Sequence, residues 1–198
     1  MSELFSIQLQ NRQQQGGDGV WLDLPTTTEQ VQVALRQIGI SSDNPQGLFI
    51  SGYFAEEEKR FAISYNMVLA SNVDELNFLA SRLETLSTGE RAELNAALQA
   101  PQSELFSIGR ITDFPENVDY YVHLPDVHGP AQLGDYYLNR SGMVNMPEEW
   151  KGGIDTAQFG RYVAQQEQGA FTQYGYLVKS GDEWQKVHEG QPVPEEYR

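Results

Sequence analysis

The spacing of apolar residues changes along this chain, and the change limits the fold to a mixture of strands and helices. Residues 4–10 alternate between apolar and polar side chains, with Phe5 and Leu9 on the apolar side, and residues 20–24 alternate again. Such alternation is typical of half-buried strands. Residues 11–19 between them are polar and end in glycines, which favours a turn. The two strands are therefore predicted to form a hairpin with a long loop.

A helix is predicted directly after this hairpin. Thr26 and Thr27 each stand three residues before a Glu or Gln, which is a capping-box pattern. The apolar residues that follow keep helical spacing as far as Gly39, a natural helix stop. Residues 48–54 and 61–65 are predicted as further strands, separated by a run of charged residues.

The middle of the chain has helical spacing only. Asn72 is placed to cap one helix, and Ser87 with Glu90 forms the capping box of a second. Pro101 ends the segment. Because a helical hairpin of this length has little core of its own, we expect it to pack on a neighbour.

The last third mixes both periodicities. Residues 120–124 and 171–178 are predicted as strands, and residues 130–140 and 154–163 as helices. From residue 179 the chain is polar and contains prolines, so its end is predicted to fray.

One short segment occurs twice. Residues 103–108 read Ser-Glu-Leu-Phe-Ser-Ile and repeat residues 2–7 without change. The simplest interpretation is that both segments begin a small α+β unit with a similar edge strand. Six matched residues without a longer repeat do not establish a duplication, and chance or local convergence explains them at least equally well.

Together these patterns predict an α+β fold in three small domains. Residues 1–65 form an N-terminal α+β domain and residues 66–102 a helical middle domain. Residues 103–198 form a C-terminal α+β domain with a polar C-terminal extension.

Composition excludes several classes of function. The 198 residues include 28 acidic and 13 basic side chains, a formal net charge of −15, and no cysteine. Disulfides, cysteine-ligated metals and thiol catalysis are therefore impossible, and the charge argues against direct binding of nucleic acid. The many aromatic residues argue against a disordered acidic tail.

No apolar run is long enough to span a membrane and no signal peptide is recognised, so a cytoplasmic location is expected.

The charge has a plain interpretation beside any specific one. Acidic residues occur in every quarter of the chain and do not form a tail, so they must lie on folded surface. Many proteins carry such a surface for solubility alone.

Catalytic chemistry finds little support. His123, Asp126 and His128 could bind zinc, but Pro125 and Pro130 break the segment, so exposed loop histidines are the favoured interpretation and no metal is expected. The nucleophile elbow, the phosphate loop and the dinucleotide-binding fingerprint are all missing from the sequence. A carboxylate-dependent hydrolase remains open as an alternative, although adjacent carboxylates are usually solvated surface. We expect no enzymatic activity and no cofactor.

A succession of short motifs points to a family. Residues 133–137 read Leu-Gly-Asp-Tyr-Tyr, residues 146–150 Met-Pro-Glu-Glu-Trp and residues 159–161 Phe-Gly-Arg. Near the start, residues 19–25 read Gly-Val-Trp-Leu-Asp-Leu-Pro. In this order the motifs resemble the ArdA family of antirestriction proteins, over about residues 4–178.

The resemblance implies both an architecture and an activity. Members of that family are non-enzymatic DNA mimics in which three small domains form an elongated protomer, and the protomers pair into a homodimer. Surface carboxylates imitate phosphates, and the dimer occupies the DNA-binding groove of type I restriction–modification enzymes. The alternative is an acidic interaction module that binds another basic, DNA-directed protein. Neutral amides in residues 13–15 and 162–168 leave target and potency open.

The resemblance also suggests which residues carry these roles. Carboxylates in a stretch with few basic neighbours are the first predicted to imitate phosphates, followed by the two acids before Trp150: Asp113, Glu116, Asp119, Asp126 and Asp135, then Glu148 and Glu149. Glu56, Glu57 and Glu58 would extend this negative surface, but Lys59 and Arg60 largely offset their charge. Each is equally well explained as an ordinary surface acid or a helix cap. Four aromatic residues are candidates for the dimer interface, with the protein core as the alternative: Tyr136, Tyr137, Phe171 and Tyr174.

Overall fold

The structure is a computed structural model that describes residues 3–14, 17–41 and 45–198. They group into two compact units, each assembled from separate stretches of chain. The first unit comprises Met1–Ser87, Leu105–Glu116 and Gln185–Arg198. The second comprises Thr88–Glu104 and Asn117–Trp184. The predicted mixed α+β character is confirmed. The division into three domains does not coincide with these units and stays a prediction.

The first unit contains a three-stranded antiparallel sheet. Its strands β1 (Phe5–Asn11), β2 (Val20–Leu24) and β3 (Leu48–Phe54) lie in the order β2-β1-β3. Phe5 pairs with Leu24, as the predicted hairpin requires. The apolar side chains of β1 are buried on one face, which confirms the alternation.

Helix α1 (Thr28–Gln37) begins as the capping pattern predicts. The Thr27 side chain accepts the backbone N–H of Gln30, and Val31 and Ala34 are buried. Gly39 then adopts a φ of 68°, a conformation that costs glycine little and permits the helix to end.

The predicted strand at residues 61–65 is wrong. A 3-10 turn at Glu57–Lys59 leads into an irregular extended stretch, and helix α2 begins at residue 65 (Tyr65–Leu69). Phe61 and Ile63 are buried, so the alternation itself is real. Alternate burial requires only an extended backbone and not a hydrogen-bonded ladder, which explains the error.

Three further helices lie in the middle of the chain, and the first two follow the predicted pattern. Helix α3 (Val73–Glu84) is capped by Asn72, which accepts the backbone N–H of Glu75 at 2.8 Å. Helix α4 (Thr88–Gln99) belongs to the second unit, and the short helix α5 (Ile108–Thr112) packs on α3 in the first.

The repeated segment folds differently in its two copies. Residues 5–7 lie in β1, whereas Ser107 caps α5 by accepting the backbone N–H of Arg110. Phe5 is 3% exposed and its counterpart Phe106 is 66% exposed. The predicted second edge strand is therefore wrong. The residues that follow decide the outcome, because the first copy continues into the alternating burial of β1, whereas the second continues to Ile111, which is buried one helical turn after Ile108.

The second unit contains the second sheet. Strands β4 (Tyr121–Leu124), β5 (Ala170–Thr172) and β6 (Gly175–Lys179) are antiparallel in the order β4-β6-β5, and α4 packs on β6. The two predicted strand regions are confirmed. The second predicted strand divides into the β5–β6 hairpin.

Two glycines allow the helices of this unit to pack closely. Helix α6 (Pro130–Asp135) continues as a π-helical turn (Tyr136–Arg140) and packs on α8 (Thr156–Glu167), with the short α7 (Glu148–Lys151) between them in sequence. A Cβ at Gly160 would lie 1.8 Å from the Pro130 carbonyl oxygen. A Cβ at Gly134 would lie 1.9 Å from the Thr156 carbonyl oxygen. Any side chain at either position would force the helices apart.

No helix in the described residues is both long and apolar enough to cross a membrane.

Candidate partner-binding surface

The acidic residues of the first unit lie in three different environments. Glu57 and Glu58 are exposed on the 3-10 turn after β3, and Glu56 before them is 3.1 Å from the Lys59 ammonium. Glu116 ends the turn Phe114–Glu116 and forms an ion pair with Arg82. The charges of Glu56 and Glu116 are therefore partly compensated within the chain.

Asp113 does not lie on the surface, in contrast to the prediction. Its side chain is 0% exposed, and Oδ1 accepts the backbone N–H of His188 at 2.6 Å. Oδ2 accepts the backbone N–H groups of Val187 and Glu189 at 3.3 and 3.2 Å. A carboxylate enclosed by three backbone donors cannot face a partner, so Asp113 is removed from the phosphate-mimicking set.

These contacts also correct the prediction that the C-terminal end frays. Residues 187–189 are held by Asp113, and the ring of Phe78 packs on those of His188 and Tyr197. The end of the chain thus completes the first unit. A polar, proline-containing sequence gives no sign of such anchoring, because the partners lie about 75–120 residues earlier.

The acidic residues of the second unit are mostly exposed. Asp119 and Asp126 lie in the connections on either side of β4, and Glu149 lies in the first turn of α7. Glu148, also in that turn, is 3.0 Å from the Lys151 ammonium. Asp135 is partly buried and forms contacts with Arg140 and Asn139 at 3.2 and 2.8 Å.

One further carboxyl group of this unit has an unusual environment. Glu93 lies in α4, where its Oε1 is buried without a hydrogen-bond partner in the structure. Burial raises the pKa of Glu93 to about 8, and the negative charges of Asp119 and Glu90 add to the shift. Glu93 therefore contributes only part of a charge near neutral pH. The sequence around Glu93 does not predict this burial or the raised pKa, because capping patterns and composition do not distinguish a buried glutamate from an exposed one.

Three of the four proposed interface aromatics contribute to the core of the second unit. Tyr136, Tyr137 and Phe171 pack against a buried cluster that comprises Val127, Leu133, Ala164 and Tyr176. The Tyr137 and Tyr176 hydroxyls donate to the two oxygens of Glu167, at 2.5 and 2.9 Å. The fourth, Tyr174, is half-buried. All four retain some exposure, and a role at a dimer interface stays a prediction.

The histidines considered as metal ligands have other contacts. His123 Nε2 lies 2.7 Å from the Tyr174 carbonyl oxygen, across the second sheet. The backbone N–H of His128 donates to the Gln132 side chain. Within residues 3–14, 17–41 and 45–198, no three His, Asp or Glu side chains lie close enough together to hold a metal ion.

The outer face of the first sheet carries two large aromatic side chains. Trp21 is 50% exposed and Phe54 is 56% exposed. They belong to a set of cross-strand neighbours that we call the open sheet face: Ser6, Gln8, Trp21, Asp23, Gly52 and Phe54. In the sequence, Trp21 belongs to the motif at residues 19–25 that resembles the family. The alternation of β2 predicts that its side chain faces solvent, but it does not predict a function for it.

These features define a class of protein: a small α+β protein whose exposed positions are rich in carboxylates and include unshielded aromatic rings. The family model for the antirestriction protein ArdA matches residues 16–178. The chain belongs to this family, which consists of inhibitory proteins and not of known enzymes. A comparison with curated proteins gave no match.

Proposed function

We propose that this protein protects incoming DNA by imitating duplex DNA and occupying the DNA-binding groove of a type I restriction–modification enzyme. Membership of an antirestriction family supports the general activity. The observation that supports mimicry is the exposure of carboxylates in both units, among them Glu57, Glu58, Asp119, Asp126 and Glu149.

The amount of charge is adequate for this role. Duplex DNA carries about one negative charge per 1.7 Å of its axis. Two protomers of −15 each would therefore match the charge of about 50 Å of duplex, or about 15 base pairs. A groove that evolved to bind phosphates would attract such a surface, and salt would weaken the attraction.

The proposed contact set is smaller than the sequence alone suggests. Asp113 is excluded by its burial, and Glu93 carries a reduced charge near neutral pH. Glu56, Glu116, Asp135 and Glu148 pair with basic side chains of the same chain, so a partner must compete for them. The exposed acids without these complications are the first candidates for contact.

The active form is proposed to be a homodimer, in the cytoplasm, where incoming DNA meets the restriction enzyme. We propose that aromatic residues of the second unit contribute to pairing through their exposed edges. Tyr174 is the first candidate, since it is outside the core cluster to which the other three contribute. A solution mass near one 22.3 kDa chain at micromolar concentration would contradict the dimer.

The proposal is tested by infection. Cells that carry a type I enzyme and produce this protein are challenged with unmodified phage, and plating efficiency is compared with that on cells without the enzyme. We expect efficiency to approach the unrestricted level. Lack of protection across several type I systems, with the protein present at normal levels, would contradict it and favour another basic, DNA-directed partner.

A further inference from the structure

We propose that the open sheet face is a docking surface for arginine side chains of the basic partner. This inference rests on the proposed function, because it states which groups of the target's groove the first unit recognises. In this proposal, the partner's arginine side chains stack on aromatic rings in addition to being attracted by phosphate-like charges. Trp21 and its neighbours on the open sheet face provide the stacking surface.

The orientation of Trp21 suits it to stacking. Trp21 lies on β2 and Gly52 on β3, with Gln8 of β1 between them. Neighbouring strands are about 4.8 Å apart, so the backbones of Trp21 and Gly52 are about 10 Å apart. A Cβ at Gly52 would nevertheless lie 3.1 Å from Cη2 of the Trp21 ring. The indole therefore extends across β1, with its tip above Gly52.

Much of this ring is open to solvent. Half of the Trp21 side chain is exposed, although its tip touches the sheet. The part of the indole that does not contact Gly52 is therefore accessible to a ligand. Indole is the best aromatic partner for a cation held over the ring, and guanidinium is the cation found there most often.

Carboxylates frame the two aromatic rings. Asp23 follows Trp21 by two residues on the same strand, which places both side chains on one face, and its Oδ1 accepts the Ser6 hydroxyl at 2.6 Å. Glu3 borders an open depression lined by Trp21 and Asp23, and it also borders a smaller one lined by Phe54. The face therefore combines aromatic surface with negative charge.

This combination selects arginine over other ligands. A guanidinium is planar, stacks on aromatic faces and forms paired hydrogen bonds with carboxylates, whereas a lysine ammonium is a compact and strongly hydrated charge. A nucleic-acid base could also stack on Trp21, but its phosphates would be repelled by Asp23 and Glu3. The same unit already stacks an arginine on a ring, since the Arg12 guanidinium lies 5.3 Å from the Phe49 centroid.

The first test measures binding of a purified type I restriction–modification enzyme to the full-length protein. We expect Trp21→Ala to weaken binding about tenfold and Trp21→Phe, which retains a ring, to weaken it less. Tyr162→Ala is the matched control, since it removes an aromatic side chain that is 60% exposed in the second unit, and it should bind as the wild type does. Unchanged thermal unfolding shows that each variant is folded.

Failure of the inference and failure of the proposed function give different results. If the wild type binds the enzyme and Trp21→Ala binds equally well, the docking surface is contradicted while the proposed function stands. If the wild type does not bind any type I enzyme, the proposed function is contradicted. A second measurement then tests separately whether the open sheet face binds arginine side chains.

That measurement follows the indole N–H signals of the wild-type protein by NMR during titration with nona-arginine or nona-lysine. Trp21→Phe assigns the Trp21 signal by its loss, and the exposed Trp150 is the internal control. A larger shift of the Trp21 signal with nona-arginine than with nona-lysine, and a smaller difference between the two peptides at Trp150, which lies beside Glu149, would support the inference. Equal responses to both peptides, or no response at Trp21, would overturn it.

Discussion

The buried carboxylate of Asp113 accepts the backbone N–H of His188 at 2.6 Å, across 75 residues of sequence. Together with its bonds to Val187 and Glu189, it attaches the C-terminal segment to the first unit. The sequence suggests Asp113 as a phosphate imitator, but the structure shows that it fixes the C-terminal segment by three hydrogen bonds, which we call the Asp113 clasp. The same residue type has opposite roles at buried and exposed positions of this chain.

Removal of this clasp should destabilise the protein. Asp113→Ala leaves three backbone donors without their acceptor, and a single hydrogen bond to a charged group has a net contribution of about 1.5–3 kcal/mol. We expect the free energy of unfolding to fall by about 3 kcal/mol in denaturant titrations, with faster amide hydrogen exchange at residues 187–189. Asp126→Asn, which changes an exposed acid, is the control and should have little effect. Equal stability of the two variants would contradict the clasp.

Glu93 should make the stability of the protein depend on pH. Because its folded pKa is raised to about 8 from an ordinary value of 4.5, its neutral form is favoured in the folded state. The stabilising contribution is complete below pH 4.5 and is lost as the pH rises through about 8.

Glu93→Gln should therefore flatten the pH profile in that window. At pH 8 we expect the variant to be about 1 kcal/mol more stable than the wild type, a figure that allows for solvent screening of a partly exposed group. Urea unfolding at several pH values measures the effect. Glu149→Gln is the control, and a profile that Glu93→Gln leaves unchanged would refute the assignment.

The close approach of α6 and α8 should not tolerate a methyl group. In Gly160→Ala the new Cβ would lie 1.8 Å from the Pro130 carbonyl oxygen, and backbone at that distance must move. Overpacking of this kind costs about 1–3 kcal/mol or more. Gly152→Ala, whose Cβ would meet no atom within 4 Å, should leave the melting temperature nearly unchanged. If both variants melted together, the packing described for these helices would be incorrect.

Exposed acids within the residues matched by the family model should contribute to inhibition through their position as well as their charge. We expect the double variant Asp126→Asn, Glu149→Gln to compete less well with DNA for a type I enzyme. At about 0.5–1 kcal/mol per exposed charge, the loss is about fivefold to thirtyfold in affinity. The control is Asp182→Asn, Glu183→Gln, which removes the same charge from a segment outside residues 16–178 of the family match. Equal losses for the two double variants would mean that only net charge matters.

Local patterns predict much of this fold. Period-two alternation identifies β1 and β2, and capping residues locate the starts of α1 and α3 at Thr27 and Asn72. These signals succeed because they depend on residues within one turn or one strand.

The errors arise where distant contacts decide the structure. Residues 103–108 copy a strand sequence but begin a helix, and Phe61 with Ile63 alternates without joining a sheet. The anchoring of residues 187–189 depends on Asp113, which no local pattern connects to them. For the candidate surface, charge and family resemblance suggest which residue types matter. Burial then separates Asp113 from the exposed acids, and cross-strand geometry identifies Trp21.

Competition with DNA for the restriction enzyme is the most direct test of DNA mimicry. A purified type I restriction–modification enzyme is bound to a labelled duplex that contains its recognition site, and the wild-type protein is added at increasing concentration and at several salt concentrations. DNA mimicry predicts that the protein displaces the duplex completely, that enzyme, DNA and protein never form a ternary complex, and that higher salt weakens the inhibitor. Inhibition of restriction while the duplex stays bound would contradict DNA mimicry.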